Sequence, residues 1–190
     1  MAKRLLDMAL AGMLLTLGLP LLAVLALAVW LDGGRPILFC QVRSGRHGQP
    51  FRIYKYRTLH PGTGPVDTPH DHATRCGRWM RRWSLDELPQ LWNVLRGDMS
   101  LVGPRPTLPD QVARYGVFER QRLAVRPGLT GWAQIHGRNA IPWPERIALD
   151  VWYVRHRSLW LDLRILLRTP LILMRQAGIY GPLGKNPDYS

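Results

Sequence analysis

From Leu5 to Leu31 almost every position is apolar, and the run is broken only by Asp7, Gly12, Thr16, Gly18 and Pro20. As one straight helix it would reach roughly 40 Å, more than the ~30 Å hydrocarbon core of a bilayer, so a single span is one reading. Pro20 argues for another. Near the middle of the run it removes a helical hydrogen bond, and Gly18 leaves the backbone beside it free to bend. Lys3 and Arg4 precede the run while Arg35, Arg43 and Arg46 follow it, whereas a single span normally gathers its positive flank on one side. Residues 1–34 are therefore predicted as a re-entrant helix-break-helix bent at Pro20, with the single span as the alternative. A cleaved signal peptide is disfavoured, because no small-residue cleavage site follows the run.

Beyond the apolar run the pattern changes period. Ile37–Arg43 and Phe51–Arg57 are rich in β-formers with partial alternation, and Ser44–Pro50 between them is turn-like, which predicts a β-hairpin. Lys55 and Arg57 fall on one face of its second strand, either as solvated edge charges or as substrate ligands. Residues 60–72 read as a mobile loop, and its His70-Asp71-His72 lacks the spacing or the further ligand of a metal site. Leu161–Ala177 carries Arg164, Arg168 and Arg175 within about 40° of one another at helical periodicity, with leucine, isoleucine and methionine around the rest. It is either an interfacial helix or a buried helix with one arginine stripe. Trp143, Trp152, Tyr153 and Trp160 just before it are amphipathic rings suited to headgroup depth. Residues 178–190 form a C-terminal tail. The fold class predicted is α+β, predominantly helical, with a small β-hairpin and interfacial amphipathic helices.

Composition narrows the partners. With 190 residues the chain is one domain with an appended element, and 26 Lys+Arg against 13 Asp+Glu give a net charge of +13. That excess points to nucleic acid, an acidic lipid surface or a phosphorylated substrate. Cys40 and Cys76, with no second pair, support neither a disulfide framework nor a zinc site, and a reducing compartment fits them.

The candidate chemistry lies between Ser84 and Pro106. Ser84 followed by Glu87 three residues later has the form of a capping box, which would set Asp86 and Glu87, both ionised, in the first turn of a helix. Acidic residues in that position commonly do no more than stabilise the helix. An ionised Asp can also attack phosphorus, and its neighbour can hold Mg2+. Arg78, Arg81 and Arg82 approach the pair in sequence. Arg105 is held between prolines in Gly103-Pro-Arg-Pro106, and Arg126 directly precedes a Pro-Gly turn. Both arrangements aim a guanidinium, which suits phosphate.

Taken together, these residues resemble the small monotopic phosphoglycosyl transferases of bacterial glycoconjugate assembly. The likeness runs through Lys3–Asp7, Phe51–Arg57, Ser84-Leu-Asp-Glu-Leu88, Gly97–Pro106, Arg126–Gln134, Gly137-Arg-Asn139 and Leu149–Tyr153. It implies that a nucleoside-diphosphate sugar, typically a UDP-sugar, gives its sugar-1-phosphate to polyprenyl (undecaprenyl) phosphate and releases UMP. By the same match Asp86 is the nucleophile that carries the phosphosugar, Glu87 helps place Mg2+ with Asp86, and Arg81, Arg105 and Arg126 neutralise phosphate. Residues 35–177 become a cytosolic catalytic domain at the cytoplasmic face of the bacterial inner membrane. Its partners are the UDP-sugar, the polyprenyl phosphate and inner-membrane phospholipids, not nucleic acid, and a homodimer is left open. Leu19 stands where many relatives have a small polar residue before the proline, and the chain reads as the minimal form of the family. Two noncatalytic alternatives remain at this point: a membrane-tethered basic nucleic-acid-binding module and a membrane-surface scaffold. Neither explains the Asp-Glu pair.

Overall fold

The N-terminal apolar run folds as two helices, α1 (Ala2–Leu17) and α2 (Leu19–Gly33), inclined to each other by 64°. This computed structural model describes residues 1–60, 62 and 72–175. His70 and Asp71, the rest of the 60–72 loop interior, Ala177 and the 178–190 tail lie outside the described residues. The bend differs in place from the sequence expectation. It falls at Gly18, where a Cβ would stand 2.6 Å from the Leu14 carbonyl oxygen, so only glycine permits the approach. Pro20 lies instead in the first turn of α2, where its missing N–H has no helical partner to lose and its fixed φ helps start the helix. At 16 and 15 residues the helices measure about 24 and 22 Å, and no single helix among the described residues is long and apolar enough to cross a bilayer.

Both ends of this bent pair are fastened to the same body. At the start, Lys3 Nζ donates to Asp162 at 2.6 Å, and the buried Asp7 accepts from Ser100 Oγ at 2.7 Å and from the Leu101 N–H at 3.2 Å. At the far end, the buried Arg57 guanidinium donates to the carbonyls of Gly33, Gly34 and Arg35, gathering the frayed end of α2. Arg57 is thus a structural clasp rather than a strand-edge charge. Between these anchors Leu17, Leu19, Leu21, Val24, Leu27 and Leu31 are exposed.

The predicted hairpin forms from β1 (Leu38–Ser44) and β2 (Pro50–Tyr56), antiparallel with Leu38 opposite Tyr56. The helix α3 (Arg75–Arg82) is capped by the Thr74 hydroxyl, which accepts from the Gly77 N–H, and by Asp32 at the end of α2, which accepts from the Cys76 N–H. A short 3-10 turn, Leu85–Glu87, leads into α4 (Gln90–Arg96). Asn93 of α4, fully buried, accepts from the Tyr54 N–H and donates to the Arg52 carbonyl, so α4 and β2 are locked together. Gly97, at φ 94°, ends α4 in the left-handed region, and Arg4 reaches its last carbonyls at Val94 and Leu95.

A parallel pair that the sequence reading did not foresee joins β3 (Ser100–Val102) to β4 (Gly128–Thr130). It brings the two proline turns side by side. Gly103 and Gly128 meet so closely that a Cβ on Gly128 would lie 2.1 Å from the Gly103 nitrogen. Between the strands run α5 (Pro109–Ala113) and α6 (Val117–Arg120), and after them α7 (Trp132–His136), α8 (Trp143–His156) and α9 (Leu159–Arg175). The main core draws Ile53, Leu91, Val102, Ile135, Tyr153 and Ile165 from six elements.

The C-terminal helix settles one open alternative. α9 turns Leu161, Asp162 and Ile165 to the body but leaves Leu163, Leu167, Leu171 and Met174 exposed beside Arg164, Arg168 and Arg175, so it is not a buried helix. Trp160 is 73% exposed, and Trp152 is exposed at its edge while stacked between Trp132 and His156. Tyr153 is not such a ring. It is buried, and its hydroxyl donates to Asp162 at 2.6 Å.

Candidate active site

Ser84 adopts the left-handed conformation at φ 55°, and its side chain makes no cap. The predicted capping box is therefore absent: Asp86 and Glu87 sit in the 3-10 turn ahead of α4, closed by backbone bonds from the Glu87 N–H to the Ser84 carbonyl and from the Leu88 N–H to the Leu85 carbonyl. A side chain on an α-helical N-cap would have pointed along the helix axis. In this turn the Ser84 hydroxyl instead faces Arg138 and accepts from its Nη2 at 2.8 Å.

Four segments converge on the two carboxylates. Lys55 of β2 donates to Glu87 Oε1 at 2.7 Å, so it is not a solvated edge charge. Arg105, after β3, donates through Nη2 to the same oxygen at 2.7 Å and through Nη1 to Oε2 at 3.3 Å. Arg81, in the last turn of α3, is held by Thr58, whose hydroxyl accepts from its Nε at 2.7 Å. Arg138 follows α7. Burial pushes the Glu87 carboxyl up, but Arg105 and then Lys55 overcome it and hold the group well below the usual carboxylate range. Asp86 moves the other way. Only 8% exposed, it is pushed up by burial and then by the Glu87 charge, against the pull of Lys55, Arg81 and Arg105. The expectation that both acids are ionised by a helix dipole holds for Glu87, through ion pairs instead, while burial and the Glu87 charge work against the ionised form of Asp86.

Beside the pair opens a cleft of about 40 Å³ lined by Arg105, Ala133, Gln134, Arg138, Asn139 and Arg146. Arg138 Nη1 and both amide atoms of Gln134 are buried with no hydrogen-bond partner among the described residues. Arg138 also has φ 55°, so two strained non-glycine residues, Ser84 and Arg138, meet through one hydrogen bond. Buried donors left without partners in a cleft of three guanidiniums are what an anionic ligand satisfies. The sequence reading missed Arg138 as a site residue. Its only local signal was its place between a glycine and an asparagine.

This constellation coincides with a family match over residues 1–176, to the family described as bacterial sugar transferase. The chain belongs to that family. It is 46% identical over 180 residues to the uncharacterized sugar transferase EpsL of Bacillus subtilis (strain 168), covering 93% of this chain and 89% of that protein. It is 44% identical over 199 residues to a UDP-glucose:undecaprenyl-phosphate glucose-1-phosphate transferase of Caulobacter vibrioides, covering 94% and 72%. It is 41% identical over 184 residues to an undecaprenyl-phosphate glucose phosphotransferase of Komagataeibacter xylinus, covering 88% of this chain but only 35% of that longer protein.

In this bacterial sugar transferase the predicted phosphate ligands divide. Arg81 and Arg105 stand at the carboxylate pair. Arg126 donates through Nε to the Gly97 carbonyl at 2.7 Å, closing the end of α4 with Arg4. Among the described residues no group of three or more His, Cys, Asp or Glu side chains forms a metal cage. Mg2+ does not demand one, since it is commonly held by one or two carboxylates with substrate phosphates and water completing its shell, and Asp86 with Glu87 is a donor set of that kind.

Proposed function

We propose that the chain transfers a sugar-1-phosphate from a UDP-sugar to undecaprenyl phosphate, through a phosphosugar carried on Asp86. The observation that carries this reading is the cleft lined by Arg105 and Arg138, whose charges act on Glu87 and Asp86, with Arg138 Nη1 buried and unpartnered among the described residues. Names of the relatives support the class of donor and acceptor. A carboxylate oxygen of Asp86 attacks the phosphorus that bears the sugar, and the bond from that phosphorus to the UMP oxygen breaks, so UMP leaves with the electron pair. An oxygen of the lipid phosphate then attacks the same phosphorus, the bond to Asp86 breaks, and the carboxylate is restored.

The remaining side chains serve charge. A carboxylate, a diphosphate and a lipid phosphate repel one another, and Arg81, Arg105 and Arg138 are fixed in advance where that charge gathers, which lowers the barrier without reorganisation. Glu87, already ionised by Lys55 and Arg105, stays a ligand rather than a proton donor. Mg2+ held by Asp86 and Glu87 would neutralise donor phosphate oxygens. The Asp86 carboxyl, poorly stabilised as an anion in its buried setting, is a better nucleophile than a solvated one.

For placement, the pair α1–α2 serves as a re-entrant element. Its two ends dock on one body through Lys3 with Asp7 and through Arg57, so the chain leaves and rejoins the same side, and the exposed leucines between them enter the lipid. α9 lies in the interface of the cytoplasmic leaflet. Purified protein with Mg2+ and a panel of UDP-sugars is the test. UMP released from one donor only when undecaprenyl phosphate is present is expected. Silence across the panel from folded protein would refute the reading.

A further inference from the structure

Apart from the Gly103 N–H, which donates to the Thr130 carbonyl at 2.9 Å, the turn that carries Arg105 is mounted by carbonyls. Pro104 and Pro106 have no N–H to offer. The Pro104 carbonyl accepts from the Gly128 N–H at 2.8 Å and the Thr107 carbonyl from the Ser44 N–H at 2.8 Å. Among the described residues the Pro106 carbonyl has the long 3.5 Å contact from Arg43. At residue 105 itself the hold comes from a side chain far away in sequence: Arg122 Nη2 donates to the Arg105 carbonyl at 2.9 Å.

Arg122 is 2% exposed and lies in the 3-10 stretch Gln121–Ala124. The same Nη2 donates to Asp150 of α8, also buried, and Nη1 donates to the Tyr115 hydroxyl at 2.7 Å. That hydroxyl donates to Thr107 Oγ1 at 3.2 Å, one residue beyond the turn. Trp143 lies under the guanidinium at 5.5 Å. Burying two charges rarely gains stability over apolar residues of similar size, so stability alone does not account for the pair. Geometry does. A planar fork reaches three acceptors in fixed directions, which an ammonium on a flexible stem does not reproduce.

We propose that the buried Arg122–Asp150 pair is a positioning device: by gripping the Arg105 carbonyl, it sets the Gly103–Pro106 turn so that the Arg105 guanidinium meets Glu87 and the cleft. The proposal rests on the transferase reading for its activity test. Arg122 and Asp150 touch neither substrate nor the reacting atoms; they act through Arg105.

The experiment is a double-mutant cycle. Arg122→Lys keeps a charge beside Asp150 but loses the fork, and Tyr115→Phe removes one hydroxyl from the same network. Each is made in the wild-type chain and in Arg105→Ala, with a thermal melt of every variant. In the wild-type background kcat is expected to fall about tenfold or more for Arg122→Lys, with a smaller change in the donor KM; in Arg105→Ala there is no further fall. The same factor in both backgrounds, or full activity in Arg122→Lys, overturns the proposal. If Arg122→Lys gives no cooperative melt, Tyr115→Phe carries the cycle with an expected loss of a few-fold. If the wild-type chain shows no lipid-dependent turnover, the transferase reading is what has failed. The cycle is then read as affinity for inorganic pyrophosphate by calorimetry: weakening only where Arg105 is present supports the positioning role, and equal or no weakening overturns it.

Discussion

Arg105 and Glu87 face each other through a two-point ion pair, Nη2 to Oε1 at 2.7 Å and Nη1 to Oε2 at 3.3 Å, and this pairing separates the roles of two adjacent carboxylates. Glu87 is stabilised as an anion from two sides. Asp86, one residue away, is buried and has the Glu87 charge against it, so its ionised form is disfavoured. Neighbouring acids driven in opposite directions are the signature of divided labour in a site.

Asp86→Asn is expected to lower lipid-dependent UMP release by at least about a thousandfold, since the nucleophile is gone while the fold keeps an isosteric side chain. Its melting temperature should equal or exceed that of the wild type, because a buried charge beside Glu87 is removed. Turnover near the wild-type level in Asp86→Asn would exclude Asp86 as the carrier.

Glu87→Gln should reveal the pH dependence of its ion pairs. The folded-state pKa of Glu87 is lowered, so its stabilisation is fully present above the ordinary glutamate value of about 4.3 and is lost as the pH falls below it. Asp86 runs the other way: its folded-state pKa is raised, so the buried carboxyl ionises at a cost and its contribution to stability falls as the pH rises from the ordinary aspartate value through the elevated one. Melts of both proteins across pH 3–7 should show the wild type more stable at neutral pH, with the gap closing towards pH 3.

Arg138→Ala removes the free donor in the cleft and the partner of Ser84. The donor KM is expected to rise about tenfold or more, and Ser84→Ala, which frees the guanidinium without deleting it, should cost much less. Steady-state kinetics with the preferred UDP-sugar decide this. An unchanged donor KM in Arg138→Ala would remove the cleft from donor binding.

Asp7→Ala leaves the buried Leu101 N–H without its acceptor, while the Ser100 hydroxyl keeps the Val102 carbonyl at 3.0 Å. A loss of roughly 1–3 kcal/mol is expected from the one orphaned donor, seen as a lower denaturation midpoint in detergent micelles. The effect reports how firmly α1 is tied to β3.

Topology has its own test. Single cysteines at Met1 and Arg35, in a chain with Cys40 and Cys76 replaced by serine, should both react with an impermeant maleimide from the cytoplasmic side. Reaction of the two from opposite sides would establish a single span.

What the order of residues alone determined is what depends on near neighbours: the apolar run, the β-forming stretches around a polar turn, the acidic pair, and the two prolines that stiffen the chain about Arg105. Period and backbone restriction are local properties, and they can be read without knowing what lies across the molecule. Even the bend was legible to within two residues, misplaced only because the deciding atom at Gly18 is a carbonyl one turn back. The tertiary structure decided which charge meets which. Lys55 reaches Glu87 across 32 positions, Arg57 clasps the end of α2, Arg126 closes α4 rather than facing Asp86, and Arg138 enters the site from 54 residues beyond Ser84. Those assignments follow from long-range packing, such as the docking of α4 on β2 and the parallel pairing of β3 with β4, and from burial, which makes a charge find a partner or shift its pKa, and neither leaves a trace in the spacing of the chain.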